Sequence, residues 1–405
     1  MRDPRLKATS CRPHRATGYR LQATAFWSLI IAAVACIGGC SDIGAIRRDL
    51  ESPEWQVRCA AAGNLKSLPA NEDTTALIMK TLDDPAPPVR EAGANTLAQV
   101  FNDDAAKLVF DRARDASDNT KLAVIAAIRK RGPSPAAAPF LVSMLGTQPA
   151  GIRLAATKAL HGSGDPAAKA ALLDVWARDD DPALRVAALT SASYPAKQAR
   201  SDPRILQCYR EIVQKQPALL NNPKIIRAAG DLRVSEASPR LVKLITHPEL
   251  KYVAIESLGK MRSKEAVPAL LDLLLKNESW VMNRQICLAL GRIRPKEAAP
   301  VLARYFLESK PKDDKDSWDR TLFITRAMMK IGGDDIFEAF ASQITDKDRR
   351  DFAIYALVRM TGTTVIWAEN YWLYSWPQIE RFWREWWQEN KERVAAKLEK
   401  EAQEE

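Results

Sequence analysis

Residues 265–306 read EAVPALLDLLLKNESWVMNRQICLALGRIRPKEAAPVLARYF. An apolar run through Leu270, Leu271, Leu274 and Leu275 is followed by a polar break and then by Met282, Ile286, Leu290 and Ile293. Steps of three and four place such residues on one face of a helix, so the stretch predicts a helical hairpin. The phrase then restarts. Glu297-Ala298-Ala299-Pro300-Val301-Leu302 repeats Glu265-Ala266-Val267-Pro268-Ala269-Leu270, and Glu236-Ala237-Ser238-Pro239-Arg240-Leu241 precedes both.

Outward from this hairpin a second phrase recurs: an aliphatic residue, a basic one, small residues, then an aliphatic residue. Val57-Arg58 leads to Leu65, Val89-Arg90 to Leu97, Lys121 to Ile128, Ile152-Arg153 to Leu160 and Leu184-Arg185 to Ala192. Ile225 with Ala229, Leu250-Lys251 with Leu258, Met282 with Leu290, Ile324 with Met328 and Arg350 with Leu357 continue it. From Leu65 to Leu357 the steps are 32, 31, 32, 32, 37, 29, 32, 38 and 29 residues, which fits ten units. Asp before Pro, as in Asp84-Pro85 and Asp181-Pro182, caps a helix start where Pro is tolerated. Alanine pairs such as Ala60-Ala61, Ala155-Ala156 and Ala187-Ala188 let helices approach closely.

This pattern resembles the HEAT-repeat family, in the short form also found beside phycobilin lyases, over roughly residues 51–362. The resemblance implies an all-α chain, a right-handed α-α superhelix whose hairpins bury their apolar faces only by stacking on their neighbours. A single elongated domain is expected despite 405 residues. The two long steps mark insertions at 194–203 and 310–317, positions where loops carry recognition or simply turn in solvent.

The net charge of +10 is not a phosphate-binding signature. Residues 1–39 hold six basic residues and one acidic, leaving 54 basic against 49 acidic in the rest, a mixed solvated surface. No nucleic acid partner is expected. The basic start is followed by an apolar run, Ala23 to Ile37, too short for a spanning helix and suited to an export signal. It ends at Ile37-Gly38-Gly39-Cys40, which resembles the lipobox of bacterial lipoproteins. The resemblance implies a signal peptide over 1–39, lipidation of Cys40 and a tether over 40–50. It also implies a periplasm-facing protein anchored in the bacterial envelope, with Ser41 favouring the outer membrane.

Six of the eleven tryptophans fall between Trp367 and Trp387. From Pro377 a helix is predicted with Ile379, Phe382, Trp383, Trp386 and Trp387 on one stripe, continued by Val394 and Leu398, with a charged tail fraying beyond Asn390. Met360-Thr361-Gly362 and Phe382-Trp383-Arg384-Glu385-Trp386-Trp387-Gln388-Glu389-Asn390 resemble the closing segment of some bacterial HEAT-repeat proteins. Residues 363–405 therefore read as a cap on the stack. Trp372, Trp376, Trp383, Trp386 and Trp387 are also candidates for an aromatic platform that stacks on sugars or peptides.

Catalytic chemistry finds little footing. Outside the signal only His161 and His247 remain, both at turns or helix ends where cap and surface roles are expected. Gly162-Ser163-Gly164 lacks the Lys-Ser/Thr ending of a phosphate loop. Cys36 and Cys40 have no second pair at metal-ligand spacing, and Cys59, Cys208 and Cys287 lie in different repeats, too far apart to pair. Neither metal nor cofactor is expected. The chain thus reads as a non-enzymatic scaffold presenting a curved helical surface to an unknown protein partner at the envelope. A glycan- or peptidoglycan-binding protein using the tryptophan cluster is the alternative, and a lyase-like enzyme is suggested only by the relatives of the repeat.

Overall fold

The computed structural model describes residues 42–69, 71–100, 103–146, 148–276, 279–308, 315–363 and 374–404. Among these there are 22 α-helices, short 3₁₀ turns and no strand. The chain divides into two compact units, the first ending at Ala127 and the second running from Ile128 to Glu405. The boundary between them falls inside the helix Asp118–Arg131.

In the first unit, α1 (Ile43–Asp49) pairs with α2 (Trp55–Asn64), α3 (Glu72–Leu82) with α4 (Pro87–Val100), and α5 (Asp103–Ala113) with α6 (Asp118–Arg131). We call the first helix of each pair A and the second B. Packing runs between pairs as well as within them, α2 against α4 and α3 against α5. Thr96 of α4 donates its hydroxyl to the Ala62 carbonyl of α2 at 2.8 Å.

The second unit opens with α7 (Ala138–Ser143), α8 (Ala150–Ala159), α9 (Pro166–Arg178) and α10 (Pro182–Ala192). The short α11 (Ala196–Ala199) precedes α12 (Pro203–Lys215), α13 (Pro223–Leu232), α14 (Ser238–Leu244) and α15 (Lys251–Met261). Then come α16 (Val267–Lys276), α17 (Trp280–Ile293), α18 (Ala299–Glu308), α19 (Lys315–Ile331), α20 (Asp334–Ala341), α21 (Arg350–Thr361) and the long α22 (Trp376–Glu404). Of the two Asp-Pro starts predicted, Asp181-Pro182 caps its helix, whereas Asp84 accepts the Ala86 N–H at 2.8 Å in a turn and α4 begins later, at Pro87. The carboxylates of Asp165, Asp181 and Asp202 accept from the first free backbone N–H groups of α9, α10 and α12 at 2.7–3.0 Å. The repeated Glu-Ala phrase also folds repeatedly, as a 3₁₀ turn ending at the buried Ala237, Ala266 and Ala298 and leading into α14, α16 and α18.

The predicted B-helix face of the opening stretch is observed, with Met282, Ile286, Leu290 and Ile293 all buried. Its A helix is rotated from expectation: Val267, Leu270, Leu273 and Leu274 are buried while Leu275 is 47% exposed. At about 100° per residue, 267, 270, 273 and 274 span a single 120° stripe, and 275 lies far outside it. A run of consecutive leucines hides that phase.

The basic residue of the repeated phrase has a defined task. Arg58 donates to the Ser52 and Pro53 carbonyls at 2.9 and 3.0 Å, stapling the turn before its own helix. Its remaining fork grips the Asp84 carboxylate of the next hairpin at 2.7 and 3.0 Å. Arg153 repeats the motif on the Gln148 carbonyl and on Asp179. Arg90, Arg185 and Arg350 make the same kind of backward bond to a turn or helix-end carbonyl. Hydrogen bonding from Arg58 holds the Asp84 carboxyl below the ordinary carboxylate range. A carboxylate depressed by the fold contributes stability that is present above its unfolded pKa of about 3.9 and fades as pH falls through that value. Asp84→Asn should therefore lower stability by about 1–2 kcal/mol at pH 7, and urea melts at falling pH should show the gap from the parent chain narrowing below about pH 4.

Neighbouring B helices of the second unit touch at a column of small residues. A Cβ on Gly230 would lie 2.7 Å from the Ser257 Cα, one on Gly259 2.8 Å from the Ala289 Cα, and one on Gly291 3.2 Å from the Ala327 Cα. These contacts join α13 to α15, α15 to α17 and α17 to α19. Helix propensity favours Ala over Gly by about 1 kcal/mol, but overpacking against backbone costs more. Gly259→Ala should destabilise the chain by about 1–3 kcal/mol in chemical denaturation, whereas Gly151→Ala, with open space around it, should be neutral or slightly stabilising.

Candidate functional site

Side-by-side packing leaves each B helix one outward stripe. On α17 the stripe carries Arg284, Leu288 and Arg292, on α19 Phe323, Arg326 and Lys330, and on α21 Phe352, Tyr355 and Arg359, all half-buried or exposed. The Arg284 guanidinium sits 4.4 Å from the Phe323 ring centroid, so the stripes of α17 and α19 adjoin. Upstream, on α13 and α15, the stripe is self-neutralising: Lys260 lies 2.8 Å from both Asp231 and Glu256, and the Tyr194 hydroxyl donates to Asp231. Burial followed by the bond to Asp231 pushes the Tyr194 hydroxyl well above its usual range. This is a cross-repeat brace of charges.

The chain folds as the repeats predicted, and a family model for HEAT repeats matches residues 45–129, 106–193 and 238–322. The chain belongs to the HEAT-repeat family. No curated protein matches it closely enough to count as a relative.

In this HEAT-repeat chain the tryptophan candidates separate. Trp383 is fully buried and Trp387 nearly so. Trp387 stacks on Phe337 of α20 at 4.5 Å and donates its indole N–H to Asp334 at 2.7 Å. Ile379, Val394 and Leu398 complete the buried stripe, while Phe382, predicted on it, is 43% exposed. Trp386 is half-buried and edge-on to Trp383, and Trp376 lies under the Arg350 guanidinium at 3.8 Å. Trp372, Cys40 and the segment Ile37-Gly38-Gly39 lie outside the described residues. Trp383 and Trp387 thus serve packing and offer no face to a ligand.

The charged tail does not fray. Helix α22 continues to Glu404, about 43 Å at 1.5 Å per residue, and lies across the C-terminal ends of four B helices. The Lys397 ammonium donates to the Met360 carbonyl of α21 at 3.3 Å, and a Cβ on Gly332, just past α19, would strike the Leu398 side chain. Arg294, closing α17, donates to the Leu398 carbonyl at 2.7 Å, and Arg262, closing α15, to the Ala402 carbonyl at 2.8 Å. The Arg262 guanidinium thus meets the negative end of the α22 macrodipole, while Arg294 bonds a carbonyl about one turn further in. Both arginines, with Arg233, have φ of 56–60°, the left-handed conformation that glycines 132, 162, 332 and 362 adopt elsewhere.

The left-handed arginines were missed from sequence, although Gly-x-aliphatic-Arg occurs three times beside helices that end in glycine. An L residue in that conformation costs about 1 kcal/mol. Arg262→Ala keeps the strain and loses the cap, so it should cost about 1–2 kcal/mol. Arg262→Gly should cost clearly less, because relief of strain offsets part of the loss, and denaturation midpoints of the two variants check the difference.

The remaining candidates have structural roles. His247 accepts the Glu249 and Leu250 N–H groups at its Nδ1, a helix cap, and His161 packs on Tyr194 at 4.7 Å. Cys59, Cys208 and Cys287 are free, and burial pushes the Cys287 thiol up to about 12. The insertion at 194–203 is ordered: it forms α11, and Arg200 donates to the Asp231 carbonyl at 2.8 Å. A groove of about 400 Å³ lies beside it, lined by Lys169, Gln198, Asp202 and Arg204 among others. Of the other insertion, residues 310–314 lie outside the described residues. Among the described residues no group of three or more His, Cys, Asp and Glu side chains is placed to hold a metal ion, and no helix is long and apolar enough to cross a membrane.

Proposed function

We propose that this HEAT-repeat chain is a non-enzymatic scaffold that binds a protein partner along the outward stripes of its B helices, held at a bacterial envelope by lipid on Cys40. The observation that carries the reading is the fixed register of α13, α15, α17 and α19, locked by the Gly230, Gly259 and Gly291 contacts. Rigid neighbours hold their exposed side chains in a preset array, so little ordering entropy opposes binding. Groups with strongly shifted protonation support the same reading, since Tyr209 and Cys287 are buried in helix packing and Tyr194 braces Asp231. Anchoring by more than one acyl chain is stable because each buried methylene contributes about 0.8 kcal/mol. Of the alternative glycan platform, Trp376 and Trp386 remain half-buried and so partly open to solvent.

Two experiments test the parts separately. A photo-reactive amino acid at Leu288 or Tyr355 should cross-link a partner in intact envelopes, and one at the exposed A-helix residue Leu307 should not; equal labelling from Leu307 would refute the face assignment. Metabolic acyl labelling should mark the parent chain and leave Cys40→Ser unlabelled, and an unlabelled parent would remove the lipid anchor from the reading.

A further inference from the structure

The outward stripes of α17, α19 and α21 carry Arg284, Arg292, Arg326, Lys330 and Arg359. Against the four guanidinium groups the described side chains of the stripes offer one carboxylate, Asp351 at the start of α21, and α17 contains no acidic residue at all. Arg284, Arg292, Arg326 and Arg359 make no ion pair among the described residues. The Arg284 Nε is buried without a hydrogen-bond partner. This departs from the neighbouring α13 and α15, where Lys260 is matched by two carboxylates, and from a chain whose charges nearly balance after residue 39.

The cations are interleaved with rings and aliphatic groups. Phe323 lies beneath two guanidinium groups, Arg284 at 4.4 Å and Arg326 at 5.9 Å from its centroid, while Leu288 and the exposed Tyr355 occupy the positions between the other cations. Guanidinium forks held over an aromatic face are preset for planar carboxylates. The same forks also fit phosphate; what argues against a phosphate track is the near balance of charge over the rest of the chain after residue 39. Helix axes packed about 8–10 Å apart correspond to about three residues of extended chain.

We infer that the outward faces of α17, α19 and α21 bind an acidic segment of a partner polypeptide, with carboxylates about every third residue and apolar side chains between them. The inference rests on the scaffold reading above and names the chemistry of its partner. It predicts that a fluorescein-labelled peptide of six Glu-Leu-Ser repeats binds the full chain in detergent, measured by anisotropy, and that a Gln-Leu-Ser peptide does not. Arg292→Gln/Arg326→Gln should weaken the acidic peptide about tenfold, with unchanged circular dichroism melts. Lys215→Gln/Lys243→Gln, which removes the same charge from exposed positions on α12 and α14, should leave binding unchanged. Equal weakening by both variants, or no binding of the acidic peptide, overturns the inference. So does tighter binding of duplex DNA or phosphatidylglycerol vesicles that the arginine variant abolishes, since the site then takes phosphate. An envelope partner cross-linked equally by the parent and the arginine variant sinks this surface and leaves the scaffold standing; no cross-linked partner from either sinks the scaffold.

Discussion

The row of B helices from α13 to α19 depends on backbone meeting backbone at Gly230, Gly259 and Gly291. A hairpin of about 30 residues has too little apolar surface to offset the entropy of ordering it. Its faces have to be buried against the next hairpin, and the depth of that burial is set by how near the B helices come. Where a Cβ would fall 2.7–3.2 Å from a neighbouring Cα, approach is limited by the main chain. Outward side chains on successive B helices therefore stand in a constant relation, and a surface for recognition follows from packing alone.

A second layer of bonding follows from the repeat phrase. The basic residue after the aliphatic one is a staple: it ties the turn preceding its helix and, at Arg58 and Arg153, reaches a carboxylate 26 residues further along. Partial burial strengthens these pairs and makes an unmatched partner costly. This explains why the phrase combines a conspicuous charge with apolar neighbours, and why Asp sits at the following turn.

Much of this was legible in the sequence, for particular reasons. Helical periodicity, the Asp181-Pro182 cap and the recurring Glu-Ala phrase are local signals and appear where predicted, while Asp84-Pro85 forms the turn before its helix. The phase of α16 was not legible, because five leucines among residues 270–275 leave the buried side ambiguous. The apolar stripe of α22 was legible as far as Leu398, but the docking of its charged end was not, because it adds polar bonds from Arg262, Arg294 and Lys397 in a Lys- and Glu-rich segment that reads as solvated. The tryptophan cluster was visible, but composition alone does not tell a packed indole such as Trp383 from a displayed one. The uneven charge of the B-helix faces was hidden for the opposite reason. It emerges only when residues 30 or so apart are placed side by side, and averages away along the chain.

The bonds from Arg262 to Ala402 and from Arg294 to Leu398 span 140 and 104 residues, whereas hairpin packing joins near neighbours. Hairpins can zip up one after another at small cost in loop closure, but these contacts close long loops and gain only after the intervening turns exist. Because α22 is translated after every helix it crosses, α15 to α21 emerge from the ribosome with their C-terminal ends still uncovered. During synthesis the clasp can close only after those helices are made, and once closed it ties a row of pairwise contacts together.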